Sequence, residues 1–188
     1  TSNCALEGLI DHITAGEDPL LVRMLQRCTL KIVPMVAIDA VIIGSPYGGP
    51  YDVMARRWMD EKPLPEIARI KEALEGWLQS GAVRLIAKLH GGQTYDNRPV
   101  WDFRVFDREL RKLLPKQVAA SLDPDWNPFV RDAVPWVRKL TIIESWLQQD
   151  YDFWNFFSVH TNGADPEQLR RQGGRFAELL ARYVLGTG

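Results

Sequence analysis

The feature that most constrains the fold of this chain is a change in hydrophobic spacing within residues 64–106. From Leu64 to Ser80, apolar residues recur every three or four positions, as one buried face of a helix requires. Beyond Ser80 and Gly81, which form a helix stop signal, the spacing falls to two. Alternation of this kind is typical of half-buried strands. The segment therefore predicts an amphipathic helix followed by two β-strands.

The two strands are predicted over residues 83–90 and 101–106. The intervening residues 91–97 are polar and rich in glycine, so we interpret the pair as a β-hairpin with a long loop. Shorter helices are predicted upstream over residues 4–14, 18–28 and 52–60. This order of helices followed by a hairpin predicts a winged helix, which is normally a binding unit.

Residues 29–43 allow two interpretations. Their valine and isoleucine content favours a strand, whereas the spacing of their apolar residues also fits a buried helix. We interpret them as a short strand, Leu30 to Val33, followed by a helix.

The chain changes character near residue 120. Residues 121–128 contain two prolines that follow aspartate or asparagine, a pattern typical of an irregular connection. Aromatic-rich segments with helical spacing come after it. We therefore predict a mixed α+β, mostly helical fold. It consists of a winged-helix-like domain with a β-hairpin over residues 1–120, and an aromatic-rich helical domain over residues 121–188 that packs on it.

The last helix is predicted from its capping residues. Asp165 is suited to the N-cap and Pro166 to the first helical position, where the missing backbone donor has no partner to lose. Gly173 and Gly174 lie inside this helix, although glycine is unfavourable there by about 1 kcal/mol relative to alanine. The pair predicts a bend or a close approach of another segment.

The charge of the chain argues against nucleic acid as its main ligand. The net charge is −1 and the pI is about 6.3, whereas affinity for nucleic acid depends largely on positive charge. The outward side of helix 64–80 also carries Glu66, Glu72 and Glu75, which would repel a phosphate backbone. A winged-helix DNA-binding regulator is therefore an alternative that ranks below protein or peptide binding.

Cysteine content and hydropathy predict where the protein works. Cys4 and Cys28 are the only cysteines, which fits neither a disulfide scaffold nor a metal-finger spacing. The most apolar run, residues 32–44, is interrupted by Pro34 and Asp39 and is too short to span a bilayer. The amino terminus lacks the basic-then-apolar pattern of a signal peptide. We predict a cytoplasmic, bacterial-type soluble domain with no membrane partner.

Signatures of common catalytic and cofactor-binding sites are missing from the sequence. It has no Gly-rich loop followed by Lys and Ser or Thr, no G-x-S-x-G, no H-E-x-x-H and no C-x-x-C. We therefore predict no cofactor, no metal ligand and no catalytic residue. His160 keeps an alternative open, because it is predicted on a loop before a helix and follows Asp150 and Asp152. That alternative is a small enzyme with a His160-centred acid/base site.

These patterns favour a non-catalytic protein- or peptide-binding subunit. An extended peptide can add a strand to a hairpin edge, and aromatic residues are enriched as anchors in protein interfaces. The residues predicted to contact another protein subunit or an extended peptide are Lys88, His90, Arg98, Trp101, Arg104, Trp154, Phe156 and Phe157. By analogy of fold alone, one example of the class is the recognition subunit of a peptide-modifying biosynthetic enzyme. Catalytic activity of the chain on its own ranks below this role.

Overall fold

A computed structural model describes residues 2–34, 57–91, 100–105, 112, 127–132, 142–162 and 165–186. The helices are α1 (Ser2–Ala15), α2 (Pro19–Leu25), α3 (Pro65–Gln79), α4 (Ile143–Tyr151) and α5 (Pro166–Leu185). The strands are β1 (Ile86–Gly91), β2 (Val100–Val105), β3 (Asn127–Asp132) and β4 (Phe156–Asn162). Most of this regular structure is helical, so the predicted mostly helical α+β class is confirmed. No helix in the described part of the chain is long and apolar enough to cross a membrane.

The chain divides into two compact units, each assembled from separate stretches of sequence. The first unit comprises Thr1–Ile32, Leu85–Asp132 and Asn155–Gly188, and the second comprises Val33–Arg84 and Ala133–Trp154. The predicted domain boundary near residue 120 lies outside the described residues and stays a prediction.

The sheet of the first unit has the strand order β1-β4-β2-β3. Strand β4 runs parallel to β1 and antiparallel to β2, and β3 runs parallel to β2. The predicted hairpin is therefore wrong, because β4 lies between the two strands that were expected to pair. Alternating hydrophobicity identifies a half-buried strand but carries no information about its partner. The winged helix, which depended on that hairpin, is not confirmed.

Two further predictions about strands are wrong. Residues 30–33 belong to no strand in the described sheet, and their apolar side chains are exposed, Val33 by 48%. Residues 156–162, assigned by sequence to the aromatic-rich helical portion, form β4 instead, in which Phe156 and Val159 are buried. Aromatic and β-branched side chains suit a strand that pairs with a neighbour on each side. The pairing of β4 with β1 and β2 therefore overrides the helical interpretation.

The predicted starts of α2 and α5 are confirmed, and each has a side-chain cap. Oδ1 of Asp165 accepts a hydrogen bond from the backbone N–H of Glu167, 3.0 Å away, and Pro166 opens α5. Oδ1 of Asp18 accepts from the N–H of Leu20 at 2.7 Å and caps α2 in the same way. Helix α3 begins and ends within one residue of its predicted bounds, 64–80.

The core of the first unit lies between α1, α2, α5 and one face of the sheet. The buried members of this core are Ala5, Leu9, Ile13, Leu21, Met24, Val159, Phe176, Ala177, Leu179, Leu180 and Ala181. Leu85 and Leu89 pack against it from β1 and its approach. Because successive residues of a strand alternate between faces, the residues that flank Val159 and Leu89 occupy the opposite face of the sheet.

Helices α1 and α5 are in direct backbone contact, which explains the paired glycines of α5. A Cβ atom on Gly173 would lie 1.9 Å from the carbonyl oxygen of Ala5, and one on Gly8 would lie 1.9 Å from that of Arg170. No side chain fits at either position while the helices stay this close. The predicted close approach at Gly173 is therefore confirmed.

The second unit packs around Trp146. The ring centroid of Trp146 lies 5.7 Å from that of Trp58 and 5.1 Å from that of Tyr151. Lys71 of α3 places Nζ 4.9 Å from the Trp146 ring centroid and donates a hydrogen bond to the carbonyl of Trp58. These contacts join α3 to α4. Burial and the neighbouring Glu75 carboxylate raise the pKa of the Tyr151 hydroxyl.

We expect Gly173→Ala to lower the free energy of unfolding by about 3 kcal/mol, because the added methyl group must push two helix backbones apart. Urea denaturation followed by circular dichroism measures the change. Gly76→Ala is the matched control, since a Cβ there meets nothing within 4 Å. It should instead stabilise α3 by up to about 1 kcal/mol, because alanine is the better helix former. Equal effects of the two substitutions would contradict the proposed backbone contact.

Candidate functional site

Polar residues from three strands meet in one row of the sheet. In the strand register, His90 of β1 is opposite His160 of β4, and His160 is opposite Asp102 of β2. The row ends on β3, where Phe129 is opposite Asp102. Far-separated parts of the sequence thus contribute two histidines and an aspartate to adjacent register positions.

Strand geometry fixes the spacing within this row, which we call the His–Asp row (His90, His160 and Asp102). Neighbouring strands lie about 4.8 Å apart, and residues opposite one another share a face. His160 directly follows Val159, which belongs to the helix-covered core, so the His–Asp row occupies the other face of the sheet. Both histidines also lie near the carboxyl ends of their parallel strands.

A second polar row lies two residues along on the same face. It comprises Lys88, Ser158, Arg104 and Arg131, opposite one another across β1, β4, β2 and β3. We call these residues the basic row. Positions two apart on a strand share a face, so the basic row borders the His–Asp row.

The two rows offer complementary chemistry. Imidazole nitrogens and carboxylate oxygens are the ligands that Zn²⁺ takes in catalytic sites, and a histidine beside a carboxylate is also a common acid/base pair. Lysine and arginine bind anionic groups, with arginine suited to carboxylates. The same face of one sheet therefore carries potential metal ligands next to potential anion ligands.

The sequence-based view of His160 is partly revised by this register. His160 lies within β4 and not on a loop, and the carboxylate brought opposite it is Asp102. Asp152 is the C-cap of α4, with φ of 48°, and accepts a hydrogen bond from Nε1 of Trp154. Asp102 is missing from the residues that the sequence predicts for a site. One feature of the sequence marks Asp102: it is a charged residue between two aromatic residues, in a segment of alternating hydrophobicity.

The residues predicted to contact a partner fall in several places. Lys88 and His90 lie in β1, and Trp101 and Arg104 lie in β2. Phe157 lies in β4, where its register partners are Ala87 of β1 and Val105 of β2. Phe156 is only 1% exposed, and Trp154 lies between α4 and β4. Arg98 lies outside the described residues. Nothing in the structure tests these eight residues as a contact surface.

No protein-family model and no curated protein sequence matches this chain. Its fold is nevertheless found in solved structures. It is similar to a metallo-carboxypeptidase from Burkholderia cenocepacia, with a TM-score of 0.74 and 14% identity over 99% of this chain and 54% of that one. It is also similar to a putative carboxypeptidase A from Shewanella denitrificans OS-217, with a TM-score of 0.66 and 16% identity over 97% of this chain and 53% of the other.

These likenesses show that the fold is carboxypeptidase-like. The chain spans about half the length of either similar structure. The prediction of a non-catalytic protein- or peptide-binding subunit is contradicted, because the solved structures with this fold are carboxypeptidases. That prediction relied on the expected hairpin and aromatic anchors as well as on the missing linear motifs. The His–Asp row has no linear motif, since strand pairing alone assembles it.

Cysteine cross-linking tests the register directly. We expect His90→Cys combined with His160→Cys to form a disulfide under mild oxidation, because cross-strand neighbours lie within the Cα separation of about 4.4–6.8 Å that a disulfide requires. Mass spectrometry of proteolytic peptides detects the link. The matched control pairs His160→Cys with Gly91→Cys, one residue along and on the other face. Linking that is equal in both variants would contradict the register.

Proposed function

We propose that this chain is part of a metal-dependent peptidase, and that the His–Asp row supplies its metal ligands. The observation that carries the proposal is the register that aligns His90, His160 and Asp102 across three strands. The likeness to a metallo-carboxypeptidase supports it at the level of the fold.

The donor set fits a zinc-type ion. Two histidines at paired positions of adjacent parallel strands and an aspartate on the third strand are the residue types that supply nitrogen and oxygen ligands to zinc. A zinc ion bound there would act as a Lewis acid towards a peptide carbonyl and would lower the pKa of a bound water.

The residues of the row have different roles in this proposal. His90 and His160 hold the ion, because histidine is the usual nitrogen ligand of catalytic zinc. Asp102 is opposite His160 and two strands from His90. It therefore either completes the ligand set or accepts a hydrogen bond from the His160 imidazole and so orients the ring, as carboxylates commonly do beside zinc-bound histidines.

The basic row indicates the substrate class. Arg104 and Arg131 are opposite one another on β2 and β3, two residues along from the His–Asp row. Arginine suits a carboxylate, which it can bind through paired hydrogen bonds, and two arginines occupy paired positions here. We therefore propose that the substrate is a peptide whose free carboxyl terminus binds the basic row while its last peptide bond lies at the His–Asp row.

Because the chain spans about half of the similar structures, the proposal concerns the groups that this half contributes. His90, His160 and Asp102 bind and orient, and Arg104 and Arg131 place the substrate.

Metal dependence is the main test of the proposal. Zinc-loaded protein should release the carboxy-terminal residue from short peptides, and a chelator should lower the rate at least about 100-fold until zinc is restored. His160→Asn should lower it as far, because the row loses a ligand. Asp11→Asn, an exposed change on α1, is the control and should have no effect. Hydrolysis that survives His160→Asn, or none in the zinc-loaded protein, would contradict the proposal.

The role of the basic row makes a separate prediction. Arg131→Ala should raise KM about tenfold for peptides with a free carboxyl terminus, because one charge-assisted hydrogen-bonding group is lost. The same peptides with an amidated terminus should bind weakly to the wild-type protein and to Arg131→Ala, and the substitution should not raise their KM further. Arg69→Ala is the control, since that arginine is 83% exposed on α3. Equal KM changes for free and amidated peptides would contradict the proposed role of the basic row.

A further inference from the structure

A second group of potential metal ligands lies on the helices of the first unit. Nε2 of His12 on α1 lies 3.5 Å from Oε1 of Glu178 on α5 and 3.8 Å from Oδ2 of Asp18, the N-cap of α2. One donor atom from each of the three residues lies within 4.8 Å of the other two. The sequence places these residues on three separate helices or caps, and neither the His–Asp row nor the basic row includes them.

We infer that His12, Asp18 and Glu178 form a separate site for a divalent cation of the zinc type, which we call the helix site. It is independent of the proposed peptidase function. An ion at this position would join α1, the start of α2 and α5, so its role is to stabilise the helical layer and not to act on substrate.

The separations within the helix site suit a shared ion better than direct bonds. Ligands about 2.1 Å from a tetrahedral ion lie roughly 3.4 Å from one another. The distances of 3.5 and 3.8 Å from His12 are near that value. Both exceed the range of about 2.7–3.2 Å for a nitrogen-to-oxygen hydrogen bond. An ion between the three groups would therefore need little movement of the side chains.

The unused nitrogen of His12 points to a ligand. Among the residues that the structure describes, Nε2 of His12 is shielded from solvent and makes no hydrogen bond, while 37% of the His12 side chain is exposed and the two carboxylates face this nitrogen. A buried polar atom without a partner is unfavourable, and a neutral imidazole nitrogen is a good metal ligand. A cation coordinated there would satisfy it.

The carboxylates are held in place by their neighbours. Oδ1 of Asp18 accepts from the N–H of Leu20 at 2.7 Å, which leaves Oδ2 as the oxygen nearer to His12. Oε1 of Glu178 accepts from Nη1 of Arg175 at 3.0 Å. Such supporting hydrogen bonds commonly orient metal ligands, although the positive charge of Arg175 competes with a cation. The side chains of Asp18 and Glu178 are 23% and 13% exposed, so water can complete the ligand set.

Gly174 provides the space for the imidazole. A Cβ atom at this position would lie 3.3 Å from Cγ of His12. The two adjacent glycines of α5 thus have different partners, since Gly173 faces the backbone of α1 and Gly174 faces the histidine ring. The glycine pair therefore fits both the close helix contact and the helix site.

Counting bound zinc separates the helix site from the His–Asp row. Metal-free wild-type protein, His12→Asn, His160→Asn and the double variant are dialysed against micromolar zinc, and bound zinc is measured by mass spectrometry. We expect the zinc that remains in His160→Asn to be lost in the double variant. If the proposed peptidase function fails, the wild-type protein binds one zinc that His12→Asn removes and His160→Asn does not. Equal zinc content with and without His12→Asn would overturn the inference.

Further variants guard against simple loss of folding. Glu178→Gln should weaken zinc binding at least tenfold while circular dichroism stays unchanged. Arg175→Gln should strengthen it severalfold, because a competing cation is removed, and no structural loss would produce that gain. Glu7→Gln is the matched control, since Glu7 pairs with Arg170 across the same two helices but has no histidine beside it. Weaker zinc binding in Arg175→Gln, or an equal loss in Glu7→Gln, would count against the helix site.

Discussion

The position of β4 in the sheet determines the rest of this structure. By pairing in parallel with β1 and antiparallel with β2, β4 separates two strands that are neighbours in sequence. The same pairing buries Val159 against the helices and aligns His160 with His90 and Asp102. Core and candidate site are therefore consequences of one register. A shift of one residue would move every side chain of β4 to the other face and would remove both.

The helical layer imposes the second constraint. Helices α1 and α5 approach until backbone meets backbone, which requires glycine at positions 8 and 173. These helices pack against one face of the sheet, and the residues of the His–Asp and basic rows occupy the other face. The contact between α1 and α5 also brings His12, Asp18 and Glu178 together.

Local features of this structure could be predicted from sequence, and long-range ones could not. The caps at Asp18 and Asp165 and the bounds of α3 depend on residues within a few positions of each other, and the adjacent glycines Gly173 and Gly174 mark the close approach locally although its partner lies on α1. The pairing of β4 joins segments far apart in the sequence, such as Ile86 with Phe156, and a period of two is the same whichever partner a strand has. The His–Asp row follows from that pairing. His90 and His160 therefore looked isolated, and the expected hairpin together with the missing linear motifs suggested a binding subunit, which the carboxypeptidase-like fold contradicts.

The central claim is that the His–Asp row binds a catalytic metal ion, and anomalous diffraction from zinc-soaked crystals tests it most directly. Data collected on the two sides of the zinc absorption edge locate the ion without reference to activity. We predict an anomalous peak above the sheet, within about 2.0–2.2 Å of nitrogens from His90 and His160. Zinc bound at the helix site or elsewhere, with no peak at the His–Asp row, would contradict the account.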